Sequence, residues 1–312
     1  MNHISEYGFR RNFLKLGHEV QPFYYDSYLS NIPLLQKDLI KTADHFKPDL
    51  IFFMLFQDQF SFDTLSYLKK KYKTINWFGD DTWRFSSFTK KYAPYFSYSI
   101  TTDKYSIENY KEIGISHVLQ SQWAALDEYA IPKFKGKYEY DISFVGGYHP
   151  YRDWILKRLK KKGFNVACYG HGWPAGSLSG EEMSLLFRHS KINLNLSNSV
   201  GRDARFIFSH PKNLIYSLKS SKKYEQIKAR NFEIPYYGGF QLTSFALGLE
   251  DYFDLGKEIA VFGNADEVDI LISYYLKNEQ EREAIRNLGH QRAIREHGYL
   301  QRLKLILSEL NI

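Results

Sequence analysis

Two rhythms alternate along the chain. Apolar runs of strand length fall at "HEVQPFYYD" (18–26), "DLIFFMLF" (49–56), "TINWFGD" (74–80) and "YSITTD" (98–103). Between them, "PLLQKDLIKTADHF" (33–46), "FDTLSYLKKKY" (62–72) and "SIENYKEIG" (106–114) place apolar residues at i, i+3 and i+4, the spacing of one helix face. Strands separated by such helices predict βαβ units and a parallel, doubly wound sheet. The rhythm stops in "DEYAIPKFKGKYEYD" (127–141), which mixes Pro, Gly and Lys without a period, as a linker does. It restarts with "YDISFVGG", "YRDWILKRLKKKG", "FNVACYG", "GEEMSLLFRHS" and "KINLNLS", and continues through "GFQLTS", "GKEIAVFG" and helices from Asp266 onward. Two α/β domains are therefore expected, 1–135 and 136–312, with room for the last helix to pack back on the first. One irregularity stands at the start. "HISEYGFRRNFLKLGHEV" predicts a helix and then a strand, so either the first sheet begins one strand short or the sequence is clipped.

Composition narrows the class. The chain has 312 residues, 44% hydrophobic and 25% charged, in the range of globular proteins. Its one cysteine, Cys168, excludes an intramolecular disulfide and a multi-cysteine zinc site, and suits a reducing, cytoplasmic setting. The longest apolar run, at 49–56, is too short to span a bilayer, and no signal peptide precedes it. A net charge of +7 favours acidic partners: nucleotides, phospholipid surfaces or nucleic acid. The lysine clusters at 69–71 and 157–162 fall on helix ends, where cations meet the dipole, and no nucleic-acid motif accompanies them. Nucleic acid is not expected as a partner; peripheral contact with an inner membrane face stays open.

Ligands of open parallel sheets bind at the carboxyl ends of the strands, so candidate chemistry is sought there. In "SFVGGYHPYR" (143–152) a strand ends in Gly146 and Gly147, and Arg152 lies in the first turn of the next helix. Glycines admit close backbone approach, a helix N-terminus favours an anion, and Arg152 would clamp a phosphate; a tight turn with a surface arginine is the alternative. In "YEQIKARNFEIPYYGGFQLT" (224–243), Glu225 and Glu233 stand eight residues apart, with Lys228 and Arg230 between them and Gly238–Gly239 following. A continuous helix would put both carboxylates on one broad face; a loop leading into a helix would let them converge on one ligand. Lys228 and Arg230 carry the positive charge that a diphosphate leaving group needs. Two successive glycines exceed what a helix cap requires and suggest close backbone approach. Asp80 and Asp81 at the end of "NWFGDD" are acid/base candidates, though one aspartate is accounted for as a helix cap. His171, flanked by Gly170 and Gly172, and Trp173 follow a strand and would touch a base or sugar, or form a structural turn. No metal site is expected.

The order of these segments resembles a known family. "YDISFVGGYHPYRDWILKRLKKKGFNVACYGHGW", "KINLNLS", "QIKARNFEIPYYGGFQLT" and "EREAIRNLGHQRAIREHGYLQRL" resemble the C-terminal half of group-1-like glycosyltransferases of the CgeB-like (spore-maturation protein) branch. The first half is similar only through "LGHEV" and "WFGDD". The resemblance implies a GT-B architecture: two Rossmann-like domains facing across a cleft, with the acceptor site on the first and the nucleotide-sugar site on the second. It implies no metal ion and no cofactor beyond the donor. Glu225 and Glu233 have the spacing of the family's E-x7-E motif. Glu233 matches the glutamate expected on the donor ribose, and Gly238 and Gly239 match the small residues after it. The Gly-Phe-Gly context that follows the first glutamate in the family is missing after Glu225.

The expected activity is transfer of a sugar from a nucleotide-diphosphate donor to a hydroxyl of a glycan, lipid-linked or protein acceptor, without a metal, in polysaccharide biosynthesis. Gly146, Gly147, Arg152, Gly172, Trp173, Glu233, Gly238 and Gly239 are expected to hold the donor. Glu225, Lys228, Arg230 and Asp80 or Asp81 are expected to act in catalysis. A non-catalytic nucleotide-sugar-binding or coat-assembly protein of the same fold is the alternative.

Overall fold

A computed structural model describes residues 4–130, 136–197 and 200–312. The chain divides into two compact units, one of residues 1–123 with 299–312, the other of residues 124–298. The division expected near residue 135 lies outside the described residues; the units part at Trp123/Ala124. Local bonding shows why. Ala125 bridges to Gly298, the Tyr237 hydroxyl donates to the Leu126 carbonyl, and Ser184 Oγ donates to the Tyr129 carbonyl, all inside the second unit. Gly180 gives the Tyr129 ring its seat, since a Cβ there would lie 2.2 Å from that ring.

The first unit holds a four-stranded parallel sheet in the order β1 (Leu50–Phe53), β2 (Lys73–Phe78), β3 (Tyr98–Thr101), β4 (Val118–Gln120). Helices α1 (Ile32–Phe46) and α2 (Phe62–Lys71) precede β1 and β2, capped by the Asn31 and Ser61 side chains. Leu35, Leu39, Leu65 and Leu68 repeat at helical spacing and are buried in one core with Phe53, Phe78 and Tyr110. The strand expected at 18–26 does not form: residues 18–24 have no regular structure and Tyr25–Tyr28 is a 3-10 turn. Pro22 has no N–H to give a ladder. Among the described residues β1 pairs only with β2, and both β1 and this segment line a cavity of about 480 Å³.

The second unit holds a five-stranded parallel sheet. Its strands are β5 (Tyr140–Val145), β6 (Val166–Tyr169), β7 (Ser190–Asn195), β8 (Gln241–Ser244) and β9 (Ala260–Phe262), in the order β6-β5-β7-β8-β9. Its longer helices are α3 (Pro150–Lys161), α4 (Gly180–His189), α5 (Pro211–Lys219), α6 (Ala229–Tyr236), α7 (Ala265–Lys277) and α8 (Glu279–Glu296). Ile142, Phe144, Ile192, Leu194 and Leu242 point into a core with Ile155, Leu159, Val268 and Ile272. The last helix, Tyr299–Leu310, belongs to the first unit, where the Tyr299 ring packs on Gly8 and Phe9.

Candidate functional site

Sheet topology points to one place. Strand β5 has β6 on one side and β7 on the other, so the chain leaves its first strand in opposite directions. In an open parallel sheet the crevice beyond such a switch point is where ligands bind. Here it lies past Val145 and Asn195, where Gly146–Gly147 and Leu196–Ser197 leave the sheet.

Strand β7 is polar on alternate positions although both faces of its sheet are covered. Ile192 and Leu194 enter the core; Asn193 and Asn195 are just as buried, under α6. Each is bonded, as burial requires. Ser143 Oγ donates to Asn193 Oδ1, and Asn193 Nδ2 donates to the Phe187 and Phe240 carbonyls. Asn195 Nδ2 and Asn231 Nδ2 both donate to Thr243 Oγ1 at 3.1 Å. Asn231 Oδ1 accepts from the Lys228 backbone N–H at 3.0 Å and from Ser197 Oγ. The network ties the carboxyl ends of β7 and β8 to the N-terminus of α6. Asn195, Ser197, Asn231, Thr243 and Ser244 were not singled out from the sequence. The signal was polar alternation in "KINLNLS" and "FQLTS", where a strand covered on both faces should be continuously apolar.

Glu225 and Glu233 sit on different elements. Helix α6 begins at Ala229, so Glu225 lies in the loop before it and Glu233 inside it, the loop-then-helix arrangement. Glu225 accepts from the Val200 backbone N–H at 2.9 Å and from Ser244 Oγ at 3.2 Å, which brings it to the switch-point network. Glu233 is buried and paired with Arg230, one turn back. Burial pushes its carboxyl up and Arg230 opposes that shift. The Arg230 guanidinium also touches the Met183 sulfur.

Arg152 differs from the clamp expected of it. Its Nε and Nη2 donate to the Leu196 carbonyl at 3.1 and 2.6 Å, Nη2 also to Ser197, and Nη1 to the Gly147 carbonyl at 2.8 Å. The side chain thus caps two strand ends at the crevice. Burial pushes it down to about 10, and Glu225 is the largest influence holding the charge.

The glycines also serve the protein itself. Gly170 has φ +137°, and a Cβ there would lie 2.1 Å from the Gly146 carbonyl oxygen. Trp173 does not stand free for a base: its indole N–H donates to that same oxygen at 2.8 Å and its ring meets Phe144 and Tyr148. Gly172, at φ +82°, lies against Tyr148, while His171 is exposed and its carbonyl accepts from Tyr148. The close approach expected at Gly238–Gly239 is to protein. A Cβ on Gly239 would lie 2.5 Å from Asn193 Nδ2, and Gly238, at φ +79°, ends α6. Arg188 and Arg286 donate to the carbonyls of Tyr237 and Gly238, a cationic cap on that helix C-terminus, and His290 Nδ1 bonds the Pro235 carbonyl.

In the first unit, Asp80 is the N-cap position of the turn Asp81–Arg84 but makes no side-chain cap bond. Asp81 is an internal anchor: Oδ1 accepts from Thr89 at 2.6 Å, and Oδ2 from Thr101 at 2.6 Å and Tyr110 at 2.8 Å. Burial raises it to about 6 against those three donors. With both oxygens occupied inside the core, Asp81 is corrected from acid/base candidate to structural residue. Gly79 before it seats the Trp123 ring, which a Cβ would meet at 2.3 Å.

A family model described as glycosyl transferase-like matches residues 152–308, which is half of the chain. The chain belongs to the glycosyl transferase-like family. It is a glycosyltransferase with two parallel α/β sheets of the GT-B type. Among solved structures, HepE of Anabaena, in complex with UDP-glucose, superposes with a TM-score of 0.58 at 10% identity, over 89% of this chain and 82% of that one. Sucrose-phosphate synthase of Thermosynechococcus elongatus gives 0.59 at 9% identity, over 94% and 81%. A glycosyltransferase of Rickettsia africae gives 0.56 at 10%, over 96% and 86%. These likenesses establish the fold. No curated protein matches the chain in sequence. Among the described residues, no helix is long and apolar enough to cross a membrane, and no three His, Cys, Asp or Glu side chains gather as metal ligands.

Proposed function

We propose that this glycosyltransferase takes its sugar from a nucleoside-diphosphate donor held at the β5/β7 switch point. The observation that carries the reading is the network joining both strand ends, Glu225 and the start of α6. It brings a strand end, a carboxylate and the N-terminus of α6 to one crevice, the parts a charged nucleotide needs. The sugar nucleotide lies against Gly146–Gly147, and Glu233 takes the ribose hydroxyls. Lys228 and Arg230 stabilise the departing diphosphate in place of a metal. Arg230 keeps N–H donors beyond those turned to Glu233, since a guanidinium has five. The CgeB-like branch, a hydroxyl of a glycan, lipid-linked or protein acceptor, and Asp80 as acceptor-side base complete the reading. HepE, solved with UDP-glucose, favours a uridine nucleotide as the first donor to try.

The experiment is calorimetric titration with UDP, GDP and dTDP, followed by hydrolysis of the matching sugar nucleotides with and without chelator. One nucleotide is expected to bind at micromolar affinity, with slow chelator-insensitive hydrolysis. Glu233→Gln should weaken the nucleotide about tenfold, and Lys228→Ala should reduce hydrolysis about a hundredfold while leaving most of the binding. Full nucleotide affinity in a folded Glu233→Gln protein would refute the ribose assignment. Hydrolysis abolished by chelator would refute metal independence.

A further inference from the structure

Helix α5 is inside out. At 100° per residue, Asn213, Tyr216 and Ser217 share one side, and Leu214, Ile215 and Leu218 share the other. The polar side faces the protein. Asn213 Nδ2 donates to the Phe206 carbonyl at 3.2 Å, the Tyr216 hydroxyl bonds His149 Nε2, and Ser217 Oγ donates to the Gly201 carbonyl. The apolar side faces outward: Leu218 is 78% exposed, Ile215 53% and Leu214 40%, and Phe208, just before the helix, is 79% exposed. No residue of the helix is buried. A surface helix ordinarily turns its apolar stripe to the core, so this one is built to be covered by something else.

The charge of the segment says what covers it. From Ala204 to Tyr224 there is no Asp or Glu, while Lys212, Lys219 and Lys223 are exposed. Lys212 and Lys219 lie about 80–100° from Pro211 around the axis, at the rim of the apolar arc. An apolar stripe rimmed by lysines is the pattern of a helix lying in the plane of an anionic bilayer surface. The aliphatic side chains enter the acyl boundary and the ammonium groups meet the headgroups. A second copy of the chain would bring its own lysines against these, and like charges would face each other.

We propose that Phe208 and the outward side of α5 dock on a membrane surface of anionic phospholipid. The surface belongs to the second unit. It stands whether or not the donor assignment above is right, because vesicle binding needs no sugar nucleotide.

The test is cosedimentation of the full chain with vesicles of phosphatidylcholine, with and without phosphatidylglycerol. Binding is expected with phosphatidylglycerol, at least about tenfold weaker without it, and lost as salt rises. Replacing Lys212, Lys219 and Lys223 by Gln should weaken it about a hundredfold, some fivefold for each lysine. Ile215→Ser with Leu218→Ser should weaken it at least about tenfold. Both variants should keep wild-type circular dichroism and nucleotide affinity. Equal binding by wild type and both variants, or no binding to anionic vesicles, would overturn the proposal. So would a lipid-free dimer that the Ile215→Ser/Leu218→Ser variant converts to monomer, which would assign the face to a second copy.

Discussion

Replacing Arg152 with methionine separates two roles that the same residue could serve. As a phosphate clamp, Arg152 would contribute to ligand binding and little to stability. As found, it joins the carbonyls of Leu196, Ser197 and Gly147 at the switch point. Leu196 and Ser197 are both buried, so methionine would leave two carbonyl oxygens without that donor. A buried polar group left unsatisfied costs about 1–3 kcal/mol, and a hydrogen bond to a charged group is worth about 1.5–3 kcal/mol. Some relaxation and the apolar packing of methionine on Phe144 offset part of this loss. The net expectation is about 3–4 kcal/mol of destabilisation, in the range found when one partner of a buried charged network is removed. Arg152→Lys should recover less than half, because one ammonium lacks the planar fork that reaches both strand ends. The assay is urea unfolding followed by tryptophan fluorescence, with nucleotide titration on the folded protein at low urea. A stability loss under about 1 kcal/mol, together with nucleotide affinity down a hundredfold, would refute the capping role and restore the clamp.

Asp81 gives a pH prediction. Its folded value, about 6, is above the ordinary 3.8, so between these pH values the folded state holds more of the proton than the unfolded chain. Stability of the first unit should therefore decline as pH rises from about 4 to 6 and level off above; Asp81→Asn should flatten that slope in urea midpoints taken across the window. A slope unchanged in the variant would show that another group titrates. Gly239→Ala should cost about 2–3 kcal/mol, because its Cβ would enter the Asn193 amide, yet nucleotide affinity of the folded fraction should be unchanged. A selective loss of affinity would mean that Gly239 faces the ligand. Trp173→Phe keeps most of the ring packing but loses the 2.8 Å bond to the Gly146 carbonyl, so about 1 kcal/mol of stability and a severalfold loss of nucleotide affinity are expected by calorimetry. An unchanged affinity would separate Trp173 from the shape of the Gly146–Gly147 turn.

Local sequence pattern suffices for the α/β alternation, the parallel sheets and the regions at which strands end. Those features are written in contacts between residues two to four apart, and periods of two and 3.6 report them directly. It also singles out Glu225 and Glu233 by their spacing, while leaving open whether they share one helix or stand on a loop and a helix. What each polar side chain meets was decided only by the tertiary structure, because those partners lie far along the chain. Arg152 reaches carbonyls 44 and 45 residues away, Asp81 is met by Tyr110 29 residues on, and Tyr216 finds His149 67 residues back. The strand expected at 18–26 failed for a related reason. Its composition suits a strand, but a strand exists only where a neighbour supplies the ladder, and local pattern carries no information about that neighbour. The buried face of Asn193, Asn195 and Thr243 lies between these cases. Its alternation was visible as a pattern, while its meaning, a polar layer tying two strand ends to α6, came from the helix that folds over it.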